Sequence, residues 1–440
     1  MNLALAKTDS GHAASSVFLA ARERLPGSAG IADARKQAFA AYERLGLPHR
    51  RVEEWKYTDL RTLMREVLPL AGAPDAAALE RARAALRSLV IVGPAKLVLV
   101  DGVFAPELSD LASLGGGITV RTLRDVLESD GSDAGADLLL TPSTDAMISL
   151  NAALATDGVV VGIADGTALA HPIHIVHVAA ARSASTFTRS HLKLGKGVRA
   201  SLMESFIAAE GAGGHQVNDA VIVTVGDDVE LSHVRLMADE ADAVNIASAI
   251  VTVGAGAKLD LFNLTSGGAV SRFQGFITFR GEGSELSANG VNLLRGKQHG
   301  DTTLVVDHAV PHCVSRENFR AVVDDRGHSV FQGRIIVRPD AQKTDGKMMT
   351  RALLLSDEAE ADNKPELEIF ADDVTCGHGA TSGALDESLL FYLRARGLPE
   401  KDAQALLIQA FLGEAIEQIT NEDLRELVAA RAERWLEAWR

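Results

Sequence analysis

The middle of this 440-residue chain repeats one short pattern at a nearly fixed interval. Each copy is an apolar run, a glycine-containing turn and a second apolar run: LKLGKGVRASL (192–202), VTVGDDVEL (223–231), VTVGAGAKL (251–259) and ITFRGEGSEL (277–286). The turn glycines recur roughly every thirty residues, at Gly195, Gly226, Gly254 and Gly281. Units of this length cannot bury an apolar face alone, so they stack on one another. The repeat therefore favours a parallel β-helix (a β-solenoid) and leaves an antiparallel sandwich of regular hairpins as the alternative.

Both ends of the chain show helical spacing instead. Residues 14–45 predict helix with a break at Pro26 and Gly27 and a stop at Gly46, and a further helix is predicted at 75–88. We therefore predict three domains: an N-terminal helical domain at 1–90, a parallel β-helix core at 91–383 and a C-terminal helical domain at 384–440.

In the C-terminal region, helix caps are predicted at Asp386 and at Thr420 or Asn421. Apolar and tryptophan side chains there form a stripe and a terminal pair: Leu406, Leu407, Ala410, Phe411, Trp435 and Trp439. Packing against the rest of the chain is one interpretation of these residues, and a docking surface for a partner is the other.

Charge and cysteine content exclude several function classes. The chain has 59 acidic against 44 basic residues, a net charge of −15, which disfavours nucleic acid or an anionic membrane as a partner. Two distant cysteines, Cys313 and Cys376, form no disulfide framework and fit a reducing cytosol. The apolar run at the start is too short for a signal peptide, and residues 89–100 are too few to span a bilayer. We expect a soluble, cytoplasmic protein.

Common catalytic motifs are missing: the sequence has no phosphate-binding loop, no nucleophile elbow and no H-E-x-x-H zinc motif. Two histidine-rich segments are interpreted as structural. In HPIHIVH (171–177) strand alternation would turn His174 away from His171 and His177. In DHAVPHC (307–313) a proline breaks regular structure between His308 and His312.

The segment DDVTCGHGATSG (372–383) contains Cys376 and His378, flanked by Gly377 and Gly379. On a strand, residues two apart project from one face, so a thiol and an imidazole would stand side by side. These ligand types suit iron, zinc or copper, but two ligands do not complete a four-coordinate site. Buried packing, a catalytic dyad and half of a metal site all remain open from the spacing.

Residues 315–398 include AQKTD, LLLSD, KPELEI, DDV and FYLRARG, and the stretch resembles the C-terminal core of the SufB/SufD family, scaffold subunits of the SUF iron–sulfur cluster assembly system. RVEEWKYTDL (51–60) resembles the N-terminal signature of the SufD branch. SufB-type members tend to carry more cysteines, and glutamates beside the histidine that matches His378. The glycines found there and the two cysteines favour the SufD branch.

The resemblance implies a right-handed parallel β-helix flanked by helical domains, in a complex with a SufB-like paralogue and two copies of the ABC-type ATPase SufC. The end of the β-helix would pair with SufB, and the helices at 384–440 would dock SufC. His378, supported by Cys376, would hold part of a transient iron–sulfur cluster shared with SufB. The chain itself would be a non-catalytic scaffold that binds no nucleotide.

Three alternatives remain. A SufB-like subunit that accepts persulfide sulfur is disfavoured by the shortage of cysteines. A β-helix enzyme acting on polysaccharide or acyl groups is disfavoured by an aromatic content of only 5%. A homodimer that pairs through the same β-helix edge is the third.

Overall fold

The computed structural model describes residues 8–90, 93–129, 133–140, 143–239 and 242–439. The strands in these ranges are β1 (Lys96–Val100), β2 (Val103–Phe104), β3 (Ile118–Thr122), β4 (Val159–Ile163), β5 (Ile173–Ala179), β6 (Ser185–Leu194), β7 (Arg199–Ala208), β8 (Gln216–Val225), β9 (Glu230–Met237), β10 (Val244–Val253), β11 (Lys258–Thr265), β12 (Val270–Phe279), β13 (Glu285–Leu294), β14 (His299–His308), β15 (Val314–Val323), β16 (His328–Val337), β17 (Asp345–Leu354), β18 (Glu360–Ile369) and β19 (Thr375–Gly383). The helices are α1 (Thr8–Ala21), α2 (Ala29–Leu45), α3 (Leu60–Leu63), α4 (Ala76–Ser88), α5 (Leu123–Ser129), α6 (Asp133–Leu139), α7 (Ala146–Leu154), α8 (Glu387–Ala395), α9 (Glu400–Ile416) and α10 (Glu422–Trp439).

The strands form two sheets that face each other across a common interior, called the lumen below. One sheet has ten strands in the order β19-β17-β15-β13-β11-β9-β7-β5-β1-β2, and the other has nine in the order β18-β16-β14-β12-β10-β8-β6-β4-β3. From β4 onward, consecutive strands alternate between the sheets and every neighbouring pair is parallel. The chain is therefore a parallel β-solenoid of about eight turns with helical N- and C-terminal regions, as predicted. The antiparallel sandwich is wrong, because among the strands of the described ranges only β1 with β2 and β3 with β4 pair antiparallel.

The repeat glycines lie where successive turns of the solenoid approach most closely. A Cβ on Gly281 would lie 2.0 Å from the backbone nitrogen of Ala255, and a Cβ on Gly254 would lie 2.7 Å from the carbonyl carbon of Gly226. Backbone atoms of a stacked turn cannot move aside, so a side chain is excluded at these positions. Close packing between turns explains why glycine recurs with the repeat.

The N-terminal helices largely follow the prediction, because the chain breaks between α1 and α2 and α4 lies within 75–88. The range predicted as β-helix core nevertheless contains α5, α6 and α7. Helix α7 is buried along its whole length, so it lacks the polar face that signals a helix in a sequence. The first predicted boundary adjoins residues 91–92, which lie outside the described ranges, and the three domain limits remain a prediction.

The C-terminal helices α9 and α10 pack on the outer face of the ten-stranded sheet. Trp435 is buried there and the Trp439 indole donates a hydrogen bond to Asp324 (2.6 Å), so the packing interpretation of both tryptophans is confirmed. The predicted stripe on α9 is correct only in part. Phe411 packs against the buried cluster, but Leu406 is exposed and the sheet-facing side is centred on Ile408 and Leu412. The caps follow the prediction: Asp386 accepts from the Ser388 and Leu389 amides, and Asn421 accepts from the Leu424 amide.

A segment that we call the N-terminal strap, residues 53–58, lies across the outer face of the nine-stranded sheet. The Trp55 ring stacks against the Arg272 guanidinium on β12 at 3.8 Å. The Glu54 carbonyl accepts hydrogen bonds from Arg272 (2.7 Å) and from Gln332 on β16 (3.0 Å). The strap thus ties several solenoid turns together and accounts for the charged, tryptophan-containing signature at 51–60. No helix of the described ranges combines the length and apolarity needed to cross a lipid bilayer.

Candidate metal-binding site at the open end of the solenoid

The last turn of the solenoid consists of β18 and β19, which are the outermost strands of their sheets among the described residues. We call this turn the open end. Each strand has one hydrogen-bonded neighbour within the sheet, so its other edge presents unpaired backbone groups. Most side chains of β19 are exposed. An open edge of this kind is a template for pairing with another β structure.

Cys376 and His378 both lie on β19. The chain does not run into this strand in one extended segment, because β18 ends at Ile369 and a turn separates it from Thr375. The two side chains are two residues apart on one strand and share a face, as expected. Cys376 is half-buried and packs against the apolar lumen, whereas His378 is exposed at the edge.

The register of the stacked strands places other residues directly beneath this pair. His378 aligns with Met348 on β17, which aligns with Glu317 on β15. In the neighbouring column Cys376 aligns with Gly346 and Ser315. Glu317 is a buried acidic residue, below the candidate pair, that motif reasoning missed. Its spacing of 31 residues to Met348, and the further 30 to His378, match the solenoid repeat, and this periodicity is the signal that could have found it.

Glu317 is fully buried, and neither carboxylate oxygen has a hydrogen-bond partner among the described residues. Burial raises the pKa of Glu317 to about 8, an effect that the Ser315 hydroxyl and the Arg316 guanidinium only partly offset. The carboxyl group is therefore largely neutral at pH 7. A buried carboxyl group thus lies two strands below His378.

Burial also raises the pKa of the Cys376 thiol, and the nearby Asp345 and Glu317 carboxylates add to the increase. The residue is therefore a protonated thiol at neutral pH rather than a reactive thiolate. This disfavours a cysteine–histidine catalytic dyad, which requires an activated thiolate. A metal ion that binds the sulfur would displace the proton, so the pair remains chemically suited to metal binding.

The two glycines beside His378 have different surroundings. A Cβ on Gly377 would meet no heavy atom within 4 Å, whereas a Cβ on Gly379 would lie 2.7 Å from the Met349 methyl group. Open space over Gly377 leaves room for an approaching chain, and Gly379 accommodates the Met349 side chain of the preceding turn.

The other histidine candidates are separated from this site. His174 and His177 point to opposite faces of β5, as predicted, but His171 precedes this strand, which begins at Ile173, so it does not share a strand face with His177. His174 lies within hydrogen-bond distance of Ser205 (2.8 Å). His308 is buried and lies 3.0 Å from Ser315 Oγ. Both have serine partners and are structural, whereas His177 belongs to a separate cluster described below.

Segment 341–345 links successive turns of the solenoid. Lys343 and Asp345 do not pair with each other. Lys343 pairs with Asp373 in the next turn, and Asp345 pairs with Arg316 of the previous strand in its sheet (2.6 Å). The pairs form between turns because stacking brings residues thirty apart closer than residues two apart along one chain.

A parallel β-solenoid with helical flanks and an adjacent cysteine and histidine at one open end describes a structural class rather than a particular protein. Sequence comparison shows which family the chain belongs to. Residues 177–411 match the model for the SufBD core domain of the SUF system for FeS cluster assembly, and residues 22–175 match the SufBD protein N-terminal region. The chain belongs to the SufBD family of iron–sulfur cluster assembly proteins.

Individual relatives agree with this assignment. The chain is 32% identical over 393 residues to the iron-sulfur cluster assembly protein SufD of Escherichia coli (strain K12), covering 88% of this chain and 89% of that protein. It is 31% identical over 388 residues to an iron-sulfur cluster assembly SufBD family protein of Synechocystis, covering 85% of this chain and 84% of that one. The SufD protein of Bacillus subtilis is 30% identical over 184 residues, 38% of this chain.

Proposed function

We propose that the chain is a SufD-type, non-catalytic scaffold subunit of a cytoplasmic SUF complex, with a SufB-like paralogue and a SufC-like ABC ATPase as its partners. The open end of the solenoid is the observation that carries the proposal. It combines two unpaired strand edges with a half-buried thiol and an exposed imidazole. A second β-solenoid that pairs with β18 or β19 would bury the two ligands and add its own.

Iron and sulfide are the cargo of this site. His378 offers an exposed nitrogen ligand at the edge, and Cys376 offers a sulfur whose proton is lost when metal binds. Two ligands from this chain leave coordination positions for the paralogue, which fits a cluster shared between subunits and released to other proteins. ATP-driven movement of the ATPase would open the shared interface and admit the cargo.

The proposed ATPase contact is the C-terminal helical region. Helix α8 has no buried residue, and it exposes Leu389, Phe391 and Tyr392. Large apolar side chains grouped on an exposed helix mark an interaction surface. Helices α9 and α10 pack on the solenoid and so hold this surface in position.

The test is cluster formation on the purified three-protein complex. Iron and acid-labile sulfide are counted for complexes that carry His378→Ala or, as a control, His312→Ala, which alters an exposed histidine in a turn. We expect His378→Ala to reduce both counts and His312→Ala to leave them unchanged. Unchanged counts in the His378→Ala complex would contradict the assignment of the site. Failure to isolate a complex with any ATPase or paralogue would contradict the scaffold function itself.

A further inference from the structure

A cluster of ionisable side chains lies inside the lumen, near the N-terminal turns of the solenoid. His177 on β5, Glu204 on β7, and His233 and Arg235 on β9 project inward from the ten-stranded sheet. Asp219 on β8 projects toward them from the nine-stranded sheet. All five are more than nine-tenths buried. In the ten-stranded sheet, β7 is six strands from β19, or roughly 29 Å at the usual strand spacing, so the cluster is separate from the open end.

Part of this cluster satisfies itself. The Arg235 guanidinium donates to Asp219 Oδ2 (3.0 Å) and to Glu204 Oε2. His233 Nε2 lies 2.8 Å from the same Glu204 oxygen, and the Thr188 hydroxyl donates to Asp219 Oδ1 (2.6 Å). These contacts hold both carboxylates in place, and the one from Thr188 is made to Asp219 Oδ1, the oxygen that lies nearest to His177 Nε2.

Two further polar atoms of this cluster have no hydrogen-bond partner in the described part of the chain. Neither Glu204 Oε1 nor His177 Nε2 has a hydrogen-bond partner among the described residues. His177 Nε2 lies 3.9 Å from Asp219 Oδ1, beyond hydrogen-bond range, and the imidazole ring stacks on Phe206 at 4.4 Å, which fixes its orientation. One ligand atom from each of His177, Glu204 and Asp219 lies within 4.8 Å of the other two.

Distance and charge both fit a bound cation. Two ligand atoms that are each about 2.0–2.2 Å from one ion lie at most about 4.4 Å apart. An ion therefore fits between His177 Nε2 and Asp219 Oδ1, which are 3.9 Å apart. Two buried carboxylates, those of Glu204 and Asp219, share the single guanidinium of Arg235. One imidazole and two carboxylates are a ligand set for iron(II), manganese or zinc.

We propose that His177, Glu204 and Asp219 bind one divalent transition-metal ion inside the lumen. The ion joins strands of both sheets across the interior, with Arg235, His233 and Thr188 orienting its carboxylate ligands. It is a resident ion of the fold, distinct from cargo iron at the open end. The site does not depend on the proposed scaffold function.

The test uses the full chain carrying Cys376→Ser and His378→Ala, so that no metal is retained by the open-end pair. The protein is expressed in minimal medium supplemented with Co²⁺, and cobalt per chain is measured by elemental analysis after gel filtration. We expect about one cobalt per chain, with d–d absorption bands typical of nitrogen and oxygen ligands. Adding His177→Gln or the near-isosteric Glu204→Gln should lower the cobalt content by at least about tenfold.

The matched control is His174→Gln, which alters an equally buried histidine on the opposite face of the same strand. It should retain the cobalt of the parent. Circular dichroism and gel filtration identify any variant that fails to fold. If one of the two ligand variants, His177→Gln or Glu204→Gln, does not fold, the cobalt content of the other one tests the proposal. A parent chain without cobalt, or equal cobalt in the parent and in a folded His177→Gln or Glu204→Gln chain, would overturn the proposal.

Discussion

At the scale of single residues, the protein buries ionisable groups in two different ways. Arg272 is fully buried, pairs with Asp301 and lies over the Trp55 ring, so its charge is neutralised and its hydrogen bonds are made. Glu317 is equally buried but has no partner among the described residues. Substitution of the paired Arg272 should therefore destabilise the fold, whereas the unpaired Glu317 makes the free energy of unfolding depend on pH.

Arg272→Gln should destabilise the fold by about 3–5 kcal/mol, because it leaves the Asp301 carboxylate buried without a counter-charge. The matched control is Arg338→Gln, which breaks an arginine–aspartate pair in which the arginine is 54% exposed. Such an exposed pair contributes about 1 kcal/mol or less. Urea unfolding of both variants measures the difference in stability. Equal losses would show that the buried Arg272–Asp301 pair does not contribute the predicted energy.

Glu317→Gln should stabilise the protein increasingly as pH rises. Below about pH 4.5 the folded and unfolded chains both hold the Glu317 proton. Between about pH 4.5 and 8 only the folded chain retains it, so the free energy of unfolding of the wild type falls with rising pH. The glutamine variant lacks this dependence. Unfolding free energies measured from pH 5 to 8 should therefore diverge, and parallel curves for the two proteins would refute the buried, neutral carboxyl.

At the scale of elements, the spacing between stacked turns decides which residues are allowed. The glycine turns pack backbone against backbone. Ion pairs such as Lys343 with Asp373 then form between one turn and the next. The repeat is therefore maintained by contacts along the solenoid axis, in addition to the apolar residues that fill its lumen.

Gly281→Ala should destabilise the solenoid by roughly 1–3 kcal/mol, since the new methyl group would overlap the backbone of Ala255. Gly72→Ala is the control, because a Cβ at that exposed position meets no heavy atom within 4 Å. Thermal unfolding should show a lower midpoint for the first variant alone. A midpoint for Gly281→Ala that matches the control would mean that the turns have room to separate.

At the scale of the whole molecule, two surfaces lack partners within the described chain. One is the open end formed by β18 and β19, and the other is the exposed helix α8 with its large apolar side chains. They are carried by different parts of the molecule, a solenoid edge and a C-terminal helix. This separation allows one subunit to bind two unlike partners, as the proposed function requires.

Phe391→Asp should abolish binding of the ATPase without loss of stability, because Phe391 is 74% exposed. Leu19→Asp on α1 is the control for adding a charge at an exposed apolar position, as Leu19 is 65% exposed. Co-purification of the ATPase with each variant gives the result. ATPase retained by Phe391→Asp, or lost equally with Leu19→Asp, would remove α8 from the proposed interface.

The sequence by itself determined the solenoid, the helical ends and the position of Cys376 and His378 on one face of a strand. These features follow from local rules: glycine recurs with the turn, and strand side chains alternate. Only the tertiary structure decided the phase of α9 and the burial of α7. It also brought Asp219 to His177 across the lumen. Such contacts join residues from different turns or sheets, and their distances depend on how the turns stack, which no local pattern specifies.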